Sequence, residues 1–306
     1  MQNRFPLAHT FSIVARDPQT GDLGAAVQSH WFSTGALVTY AEAGVGAVAT
    51  QAMVDPSYGP LGLHLMNAGK SAPQALHALL AADESQEIRQ VAMVDASGRV
   101  ASHTGARCIP AAGHITGEGF SVQANMMAND RVWPAMDAAF RSSSGSLANR
   151  MLAALEAAQA AGGDIRGQQS AAILVVKGSS SGRPWADRLT DLRVDDHPAP
   201  LGELKRLLRL ADAYNLMNAG DEQLGLGKVE EALASYCSAA KLAPEVDEMP
   251  FWHAVTLADL GRLEEALPIF ARVFAADASW KELLRRLPPV GLFKADGAAL
   301  EAILSL

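Results

Sequence analysis

Cysteine is scarce in this sequence of 306 residues: it has only Cys108 and Cys237, which lie far apart. A chain of this length buries a core large enough to fold without disulfide crosslinks, so we expect two reduced thiols. Positive charge is also in deficit, because 25 lysines and arginines stand against 33 aspartates and glutamates, giving a net charge of −8. Nucleic-acid affinity rests on clustered basic residues, so this composition argues against a nucleic-acid-binding protein.

Long apolar runs and strong local motifs are missing as well. No segment approaches the ~20 apolar residues of a membrane-spanning helix, and the opening MQNRFPLAH lacks the apolar stretch of a signal peptide. The sequence therefore predicts a cytoplasmic protein without membrane contact. It contains neither a P-loop nor a nucleophile elbow, and His103, His114 and His197 lack the spacing of a zinc site. We expect no cofactor and no metal.

Strand patterns alternate with pairs of helical patterns up to residue 200. Residues 10–15 and 23–29 flank the turn formers Asp17–Asp22, which predicts a hairpin. Further strands are predicted at 44–50, 89–95, 100–103, 120–125, 170–177 and 189–194, and helices at 60–69, 72–82, 129–141 and 146–161. This order predicts an α+β fold, a four-layer αββα sandwich over residues 10–200.

Beyond residue 200 the pattern is helical, and it repeats. The segments GLGKVEEALASYCSAAKLAP and DLGRLEEALPIFARVFAADA lie 34 residues apart, a period that resembles tetratricopeptide repeats. We therefore predict an all-α helical repeat domain over residues 201–278 and a small helical tail over 279–306. Two repeats alone leave apolar surface exposed, so we expect them to pack on a flanking helix such as 201–211 or on a protein partner.

Thr10 opens the first strand behind a leader, residues 1–9. A threonine at a free chain end attacks a carbonyl through Oγ and uses its own α-amine, with a pKa near ~8, as the base. Such a site needs an oxyanion donor, for which the strand at 44–50 offers the backbone N–H of Gly46 or Ala47. Polar residues at predicted strand ends supply the groups around the nucleophile: Ser29, His30, Gln51, Asn125 and Ser170. The alternative is that Thr10 and Ser12 are ordinary strand formers.

Two further segments have both a functional and a structural interpretation. In DPSYGP, Asp55, Ser57 and Tyr58 either line the same cleft or form a rigid turn. The triplet Asp195–His197 ends a strand and is either solvated or functional. A metal-dependent hydrolase using His103, His114 or Asp195 is a weaker hypothesis.

Long blocks of the first 200 residues are similar to one known family. They include TFSIVARDPQTGDLGAAVQSHWFSTGALV, AGVGAVATQAMVDPSYGP, RQVAMVDASGRVASHTGARCIPAAGHITGEGFSVQANMM, AGGDIRGQQSAAILVV and DLRVDDHPAP. Together they cover about residues 9–200 and resemble domain of unknown function 1028, a family assigned to the N-terminal-nucleophile hydrolase superfamily of the proteasome β-subunits. The resemblance implies the αββα fold and amide hydrolysis, with Thr10 as nucleophile and Gly46 as oxyanion donor.

The same resemblance places the remaining site residues. Ser29 and His30 follow the second strand, where the superfamily has an Asp-Ser-Arg-like polar group. The lysine that assists the nucleophile in proteasome-type members has no counterpart, since the first lysine is Lys70, so positive charge is left to Arg16 or His30. The tail FAADASWKELLRRLPPVGLFKADGAALEAIL resembles a small peptidoglycan-binding domain that accompanies some members.

Two functions follow as hypotheses. In the first, Thr10 hydrolyses an amide or isopeptide bond of a small amide or peptide, after the leader has been removed, with Ser29, His30, Gly46 and Asn125 as the other site residues. In the second, the sandwich is catalytically inactive and acts as a binding or scaffold protein whose helical repeats hold a partner. By analogy with the superfamily, we also expect a homo-oligomer.

Overall fold

A computed structural model describes residues 7–8 and 10–306 of the chain. The described residues divide into two compact units, a sheet unit that ends at Leu208 and a helical unit that spans Arg209–Leu306. Most of the predicted leader, residues 1–6 and 9, lies outside the described residues. In the part of the chain that is described, no helix is long and apolar enough to cross a membrane.

The sheet unit contains two antiparallel sheets. Sheet A pairs β1 (Leu7–Ala8), β5 (Gly46–Met53), β6 (Arg89–Asp95) and β7 (Val100–Thr104) in that order, and β4 (Thr39–Glu42) pairs with β5 beside β1. Sheet B has the order β11 (Arg188–Val194), β10 (Ser170–Val176), β3 (Leu23–Ser29), β2 (Thr10–Arg16), β9 (Phe120–Ala124) and β8 (Gly113–Gly117). The predicted mixed α/β class with antiparallel sheets and a helical C-terminal region is confirmed.

The helices of the sheet unit are α1 (Gly35–Val38), α2 (Tyr58–Asn67), α3 (Ala72–Ala82), α4 (Val132–Ser142) and α5 (Leu147–Ala160). Alternation along β2 explains the layering, because successive side chains of a strand point to opposite faces. Val14 packs between the sheets with Ala49 of β5, whereas Ile13 faces Met136 and Met151 of α4 and α5. The α2–α3 pair packs on the other face of sheet A.

Local signals explain where several elements begin and end. The hairpin turn between β2 and β3 forms because Asp17 Oδ1 accepts from the backbone N–H groups of Gln19 and Thr20, and Gly21 has φ +80°. Helix α3 begins with a capping box, in which Ser71 Oγ accepts from Gln74 N while the Gln74 side chain accepts from Ser71 N. Helix α5 ends at glycines with positive φ, as predicted for 162–163.

Four short elements were not predicted: α1, β1, β4 and β8. Strand β8 begins and ends at glycine and is half-buried along most of its length, so it lacks the apolar alternation that marks a strand. Its pairing with β9, from Gly113 opposite Ala124 to Gly117 opposite Phe120, holds it in sheet B. Tertiary pairing therefore decided an element that local preference did not.

The helical unit begins in the second part of α6 (Pro200–Gly225). It continues with α7 (Val229–Leu242), α8 (Glu248–Asp259), α9 (Leu263–Ala276), α10 (Ser279–Arg286) and α11 (Gly297–Leu304). Residues 34 positions apart occupy equivalent buried places: Ala232 with Ala266, and Tyr236 with Phe270. The tail contributes Leu284 to the same core. The expected flanking helix over 201–211 is instead the start of the longer α6, whose first residues pack on the core of the sheet unit.

Candidate functional site

Three hydroxyl residues lie side by side at one end of sheet B. Thr10 opens β2 and pairs with Ser29, the last residue of β3, and Ser29 pairs with Ser170, the first residue of β10. All three are fully buried. Ser170 Oγ donates to Trp31 O at 2.5 Å and accepts from Thr34 N, so its hydroxyl anchors the segment that follows β3.

The carbonyl group of Thr10 is held by two amide side chains. Gln51 Nε2, from β5 of sheet A, donates to Thr10 O at 3.3 Å, and Asn125 adds its backbone N–H at 3.1 Å and its Nδ2 at 3.5 Å. Both side chains are fully buried. The structure therefore brings to Thr10 three of the polar residues named at predicted strand ends, Ser29, Gln51 and Asn125.

A residue that sequence reasoning missed, Gln90, connects these groups. Its Oε1 accepts from Gln51 Nε2 at 2.6 Å and from Asn125 Nδ2 at 2.9 Å. Its Nε2 donates to Thr104 Oγ1 and to Ala124 O, both at 2.9 Å. Gln90 is the second residue of β6 and is fully buried, and the available signal was one amide inside the apolar run RQVAMVD.

A chain of neutral side chains extends this network between the sheets. Ser12 Oγ donates to Gln51 Oε1 at 2.6 Å and accepts from Gln123 Nε2 at 2.6 Å, and Ser121 Oγ donates to Gln123 Oε1 at 3.0 Å. In a low-dielectric interior, hydrogen bonds of this kind strengthen one another when every member has a partner. Ser12 is therefore a member of the network rather than only a strand former.

Two non-glycine residues with positive φ adjoin the site. Ala52, with φ +70°, follows Gln51, and Met126, with φ +58°, follows Asn125. Such conformations cost of order 1–3 kcal/mol for residues other than glycine and cluster at functional sites. Ala52 also pairs with Ala8, so the end of the predicted leader occupies the edge of β5 next to Gln51.

His30 lies at the same end of sheet B, next to Ser29, and its contact is with a buried carboxylate. Asp164 Oδ2 accepts from His30 N at 3.3 Å and pairs with Arg166 Nη2 at 2.7 Å. The Asp164 side chain is fully enclosed, whereas His30 is half-buried. Asp164 was not among the predicted residues, because no motif marks it in the loop that precedes β10.

Gly46 lies away from this site. It begins β5 opposite Asp95, five residues before Gln51, which places it about 16 Å along the strand from the end that contacts Thr10. A Cβ at this position would lie 2.6 Å from Val94 O, so close packing of the backbone explains the glycine. Arg16 is also remote, since it ends β2 and donates to Ala96 O at 2.9 Å.

In DPSYGP, Asp55 lies 3.9 Å from Arg89 and Tyr58 contacts Asp83, which follows α3. Tyr58 begins α2 and its hydroxyl donates to Asp83 Oδ2 at 3.0 Å, while Arg89, which is 1% exposed, donates to the same oxygen at 2.8 Å. Burial, then the hydrogen bond to Asp83, raises the pKa of Tyr58. Burial works against ionisation of Asp83, but hydrogen bonds from Arg89, Ser85 and Tyr58 outweigh it and lower the pKa of this carboxyl.

The residues of the metal hypothesis do not converge. His103 Nε2 contacts Gln86 O, His114 Nδ1 contacts Thr104 Oγ1, and Asp195 accepts from Ser33 Oγ. Across residues 7–8 and 10–306, no group of three or more histidine, cysteine, aspartate or glutamate side chains is placed to hold a metal ion. Burial is the main cause that raises the pKa of the Cys108 thiol above its ordinary value.

The fold and this cluster define a mixed α/β protein with a buried polar site where its two antiparallel sheets meet. The chain belongs to the family of unknown function DUF1028, whose family model matches residues 10–204. It is similar to the crystal structure of protein SPO2555 from Silicibacter pomeroyi, which has the same family model. The identity is 32% and the TM-score 0.60, over 67% of this chain and 89% of that one.

A second solved structure, Anbu (ancestral beta-subunit) from Yersinia bercovieri, covers 64% of this chain and 92% of its own length. The identity is 11% and the TM-score 0.32. No curated protein matches the chain.

Proposed function

We propose that the sheet unit is an N-terminal-nucleophile hydrolase of αββα architecture, which cleaves an amide or isopeptide bond with Thr10 Oγ. The observation that carries the proposal is the position of Thr10. It is the first residue of a central strand, its carbonyl is held by Gln51 and Asn125, and Leu7–Ala8 occupy the adjacent edge of β5. Helix pairs packed on the outer faces of both sheets support the architecture.

The leader keeps this site latent. Thr10 is fully buried, and its nitrogen is part of the peptide bond to residue 9, so the chain as it stands lacks the amine base. Hydrolysis of the bond between residues 9 and 10 supplies that amine. It also frees the edge of β5 at Ala52–Met53, whose backbone groups are then available as oxyanion donors in place of the remote Gly46.

In the processed chain the reaction balances without a cofactor. Thr10 Oγ attacks the carbonyl carbon of the substrate while its proton moves to the α-amine, and the resulting ammonium protonates the leaving amine. Water then hydrolyses the ester formed on Thr10 and restores the hydroxyl. Gln51 and Asn125 hold the Thr10 carbonyl, and Gln90 accepts from both of their amides, so the three act as positioning residues that orient the nucleophile.

The test is a chain that begins at Thr10, released from a removable N-terminal fusion partner. We expect a β-lactone probe to acylate this chain once, with the adduct mapped to residue 10 by mass spectrometry. The full chain should stay unmodified, because its Thr10 is buried. Hydrolysis of fluorogenic peptide amides by the processed chain is the accompanying activity assay.

Two substitutions serve as matched controls in the processed chain. Thr10→Ser keeps a hydroxyl beside the amine and should react, whereas Thr10→Ala should not. If the processed chain is folded, by far-UV circular dichroism, and is neither acylated nor active, the nucleophile proposal is wrong. Acylation of Thr10→Ala to the same extent would assign the reaction to another residue.

For the helical unit we infer tetratricopeptide-like repeats with a packed C-terminal tail. The buried pairs 34 residues apart support this inference, as does a close contact at Gly220, where a Cβ would lie 2.5 Å from the Tyr236 ring. Repeats of this kind bind partners, which supports the alternative in which the chain acts through its helical unit. A chain that hydrolyses no amide but still binds a ligand there would favour that alternative.

A further inference from the structure

The helical unit contains a cavity of about 500 Å³ that the proposed hydrolase does not use. One wall is a face of α6 with residues at helical spacing, including Tyr214, Met217 and Asp221. A second wall is the matching face of α8, and the segment Gly291–Lys294 completes the lining. The wall therefore combines apolar and aromatic side chains with a few polar groups, which is the composition of a ligand site.

The polar groups of this cavity are mostly acidic. Asp221, Glu248 and Asp259 line it, and among the residues described Lys294 is the one basic side chain on the wall. No described lysine, arginine or histidine lies within salt-bridge distance of the three carboxylates, which accept only from neutral donors. With three carboxylates and one lysine on its wall, the cavity has an excess of negative charge.

Two of the carboxylates are held in position by tyrosines. Tyr214 Oη donates to Glu248 Oε2 at 2.8 Å, and Tyr236 Oη donates to Asp221 Oδ1 at 2.6 Å. Tyr236 is 1% exposed, so its ring is fixed by the core. Carboxylates that are already oriented lose little conformational entropy when a ligand binds.

An aromatic ring completes the recognition chemistry. Trp252 lies on the α8 wall, one turn from Glu248 and two turns from Asp259, and contributes an aromatic side chain to the lining of the cavity. Glu248 and Asp259 are eleven residues apart on one helix, which separates them by about 16 Å. That distance matches about five residues of extended chain, so the acidic groups suit a ligand with two separated cations.

We propose that this cavity binds an extended peptide segment that carries two basic side chains about five residues apart. The ammonium or guanidinium groups pair with the carboxylates of α6 and α8, one of them over Trp252, and the intervening apolar residue packs on the methionine-lined wall. The site is independent of Thr10 and of the processing of the leader.

The experiment measures binding to the full chain by fluorescence anisotropy. The probe is the fluorescein-labelled peptide KALASKG, with QALASQG and EALASEG as matched peptides of neutral and acidic charge. We expect KALASKG to bind at least tenfold more tightly than QALASQG, with an affinity that falls as salt rises, and EALASEG not to bind. Equal binding of KALASKG and QALASQG overturns the proposal.

Variants of the protein supply the second part of the test. Asp221→Asn with Glu248→Gln keeps the acceptors for both tyrosines but removes two charges, and should weaken KALASKG binding about tenfold. Lys294→Gln removes the opposing charge and should tighten binding about threefold, a gain that a misfolded protein does not produce. Glu264→Gln, at an exposed glutamate outside the cavity, should change the affinity less than twofold.

Two further results contradict the proposal. An unchanged affinity in the Asp221→Asn, Glu248→Gln double variant would show that these carboxylates do not bind the peptide. Spermidine serves as a small cation without a peptide backbone. If it binds at this site as tightly as KALASKG, the ligand is a free polyamine, and the assignment to a peptide is wrong.

Discussion

Two buried glutamines, Gln90 of the amide network around Thr10 and Gln28 of β3, should respond in opposite ways to substitution by leucine. Gln90 and Gln28 are both fully buried in strands of the sheet unit. The amide of Gln90 is fully bonded, whereas both amide atoms of Gln28 have no hydrogen-bond partner among the described residues. Substitution by leucine, which has a similar volume, therefore separates the contribution of the hydrogen bonds from that of the packing.

For Gln90→Leu the structure shows which groups are left unsatisfied. Gln51 Nε2 and Asn125 Nδ2 lose their short bonds to Gln90. Gln51 Nε2 keeps longer bonds of 3.3 Å to Thr10 O and 3.5 Å to Gln123 O, Asn125 Nδ2 keeps its 3.5 Å bond to Thr10 O, and Ala124 O loses its amide donor. A buried polar group without a good partner costs about 1–3 kcal/mol. Allowing for partial relaxation and for the apolar gain of leucine, we expect a loss of about 3 kcal/mol in the free energy of unfolding.

For Gln28→Leu the same reasoning gives the opposite sign. The substitution removes an amide whose burial is not compensated and replaces it with an apolar side chain, so we expect no loss, or a gain of about 1 kcal/mol. Hydrogen-exchange mass spectrometry at increasing urea concentration measures both, because it follows peptides of residues 10–16 separately from the helical unit. Equal destabilisation by the two substitutions would refute the argument that the bonds of Gln90 stabilise the site.

Two further predictions concern the α2–α3 side of sheet A. The pKa of Asp83 is lowered from its ordinary value of 3.8, so its contribution to stability is present above that pH and is lost as the pH falls through the lower folded pKa. In urea titrations between pH 7 and pH 3, Asp83→Asn should therefore flatten the acid loss seen in the native protein; an unchanged slope would contradict this. Gly59→Ala should cost about 1–3 kcal/mol, since a Cβ there lies 2.3 Å from the Tyr40 ring, whereas Gly202→Ala meets nothing within 4 Å and should be neutral or stabilising in thermal unfolding.

The elements with strong local signals were predictable from sequence, and those that depend on pairing were not. The β2–β3 hairpin follows from turn formers between two β-rich runs, and α3 has apolar residues at helical spacing. Strand β8 has neither signal and exists because β9 pairs with it. The same distinction between local signals and long-range packing applies to the residues of the candidate site.

The groups around Thr10 show why chemistry at strand ends was only partly predictable. Ser29, Gln51 and Asn125 were expected because each is a polar residue at the end of a predicted strand. The prediction of Gly46 as oxyanion donor was wrong for a geometric reason. The last residues of β5 reach Thr10, whereas Gly46, the first residue of β5, lies at the opposite end of the strand. Gln90 lies inside an apolar run, and only the packing of sheet A against sheet B brings its amide to Gln51.

The bonds that hold Thr10 differ in origin from those that hold the leader, and this difference makes the proposed activation possible. Gln51 and Asn125 bind the Thr10 carbonyl with groups from β5 and from the end of β9, and neither bond involves the leader. Among the described residues of the leader, Leu7–Ala8 pair with the edge of β5 over two residues. A two-residue pairing contributes little to the stability of a sheet, so its loss should leave the strand order unchanged. Removal of the leader is thus expected to expose the hydroxyl and the amine together while the carbonyl of the nucleophile stays in place.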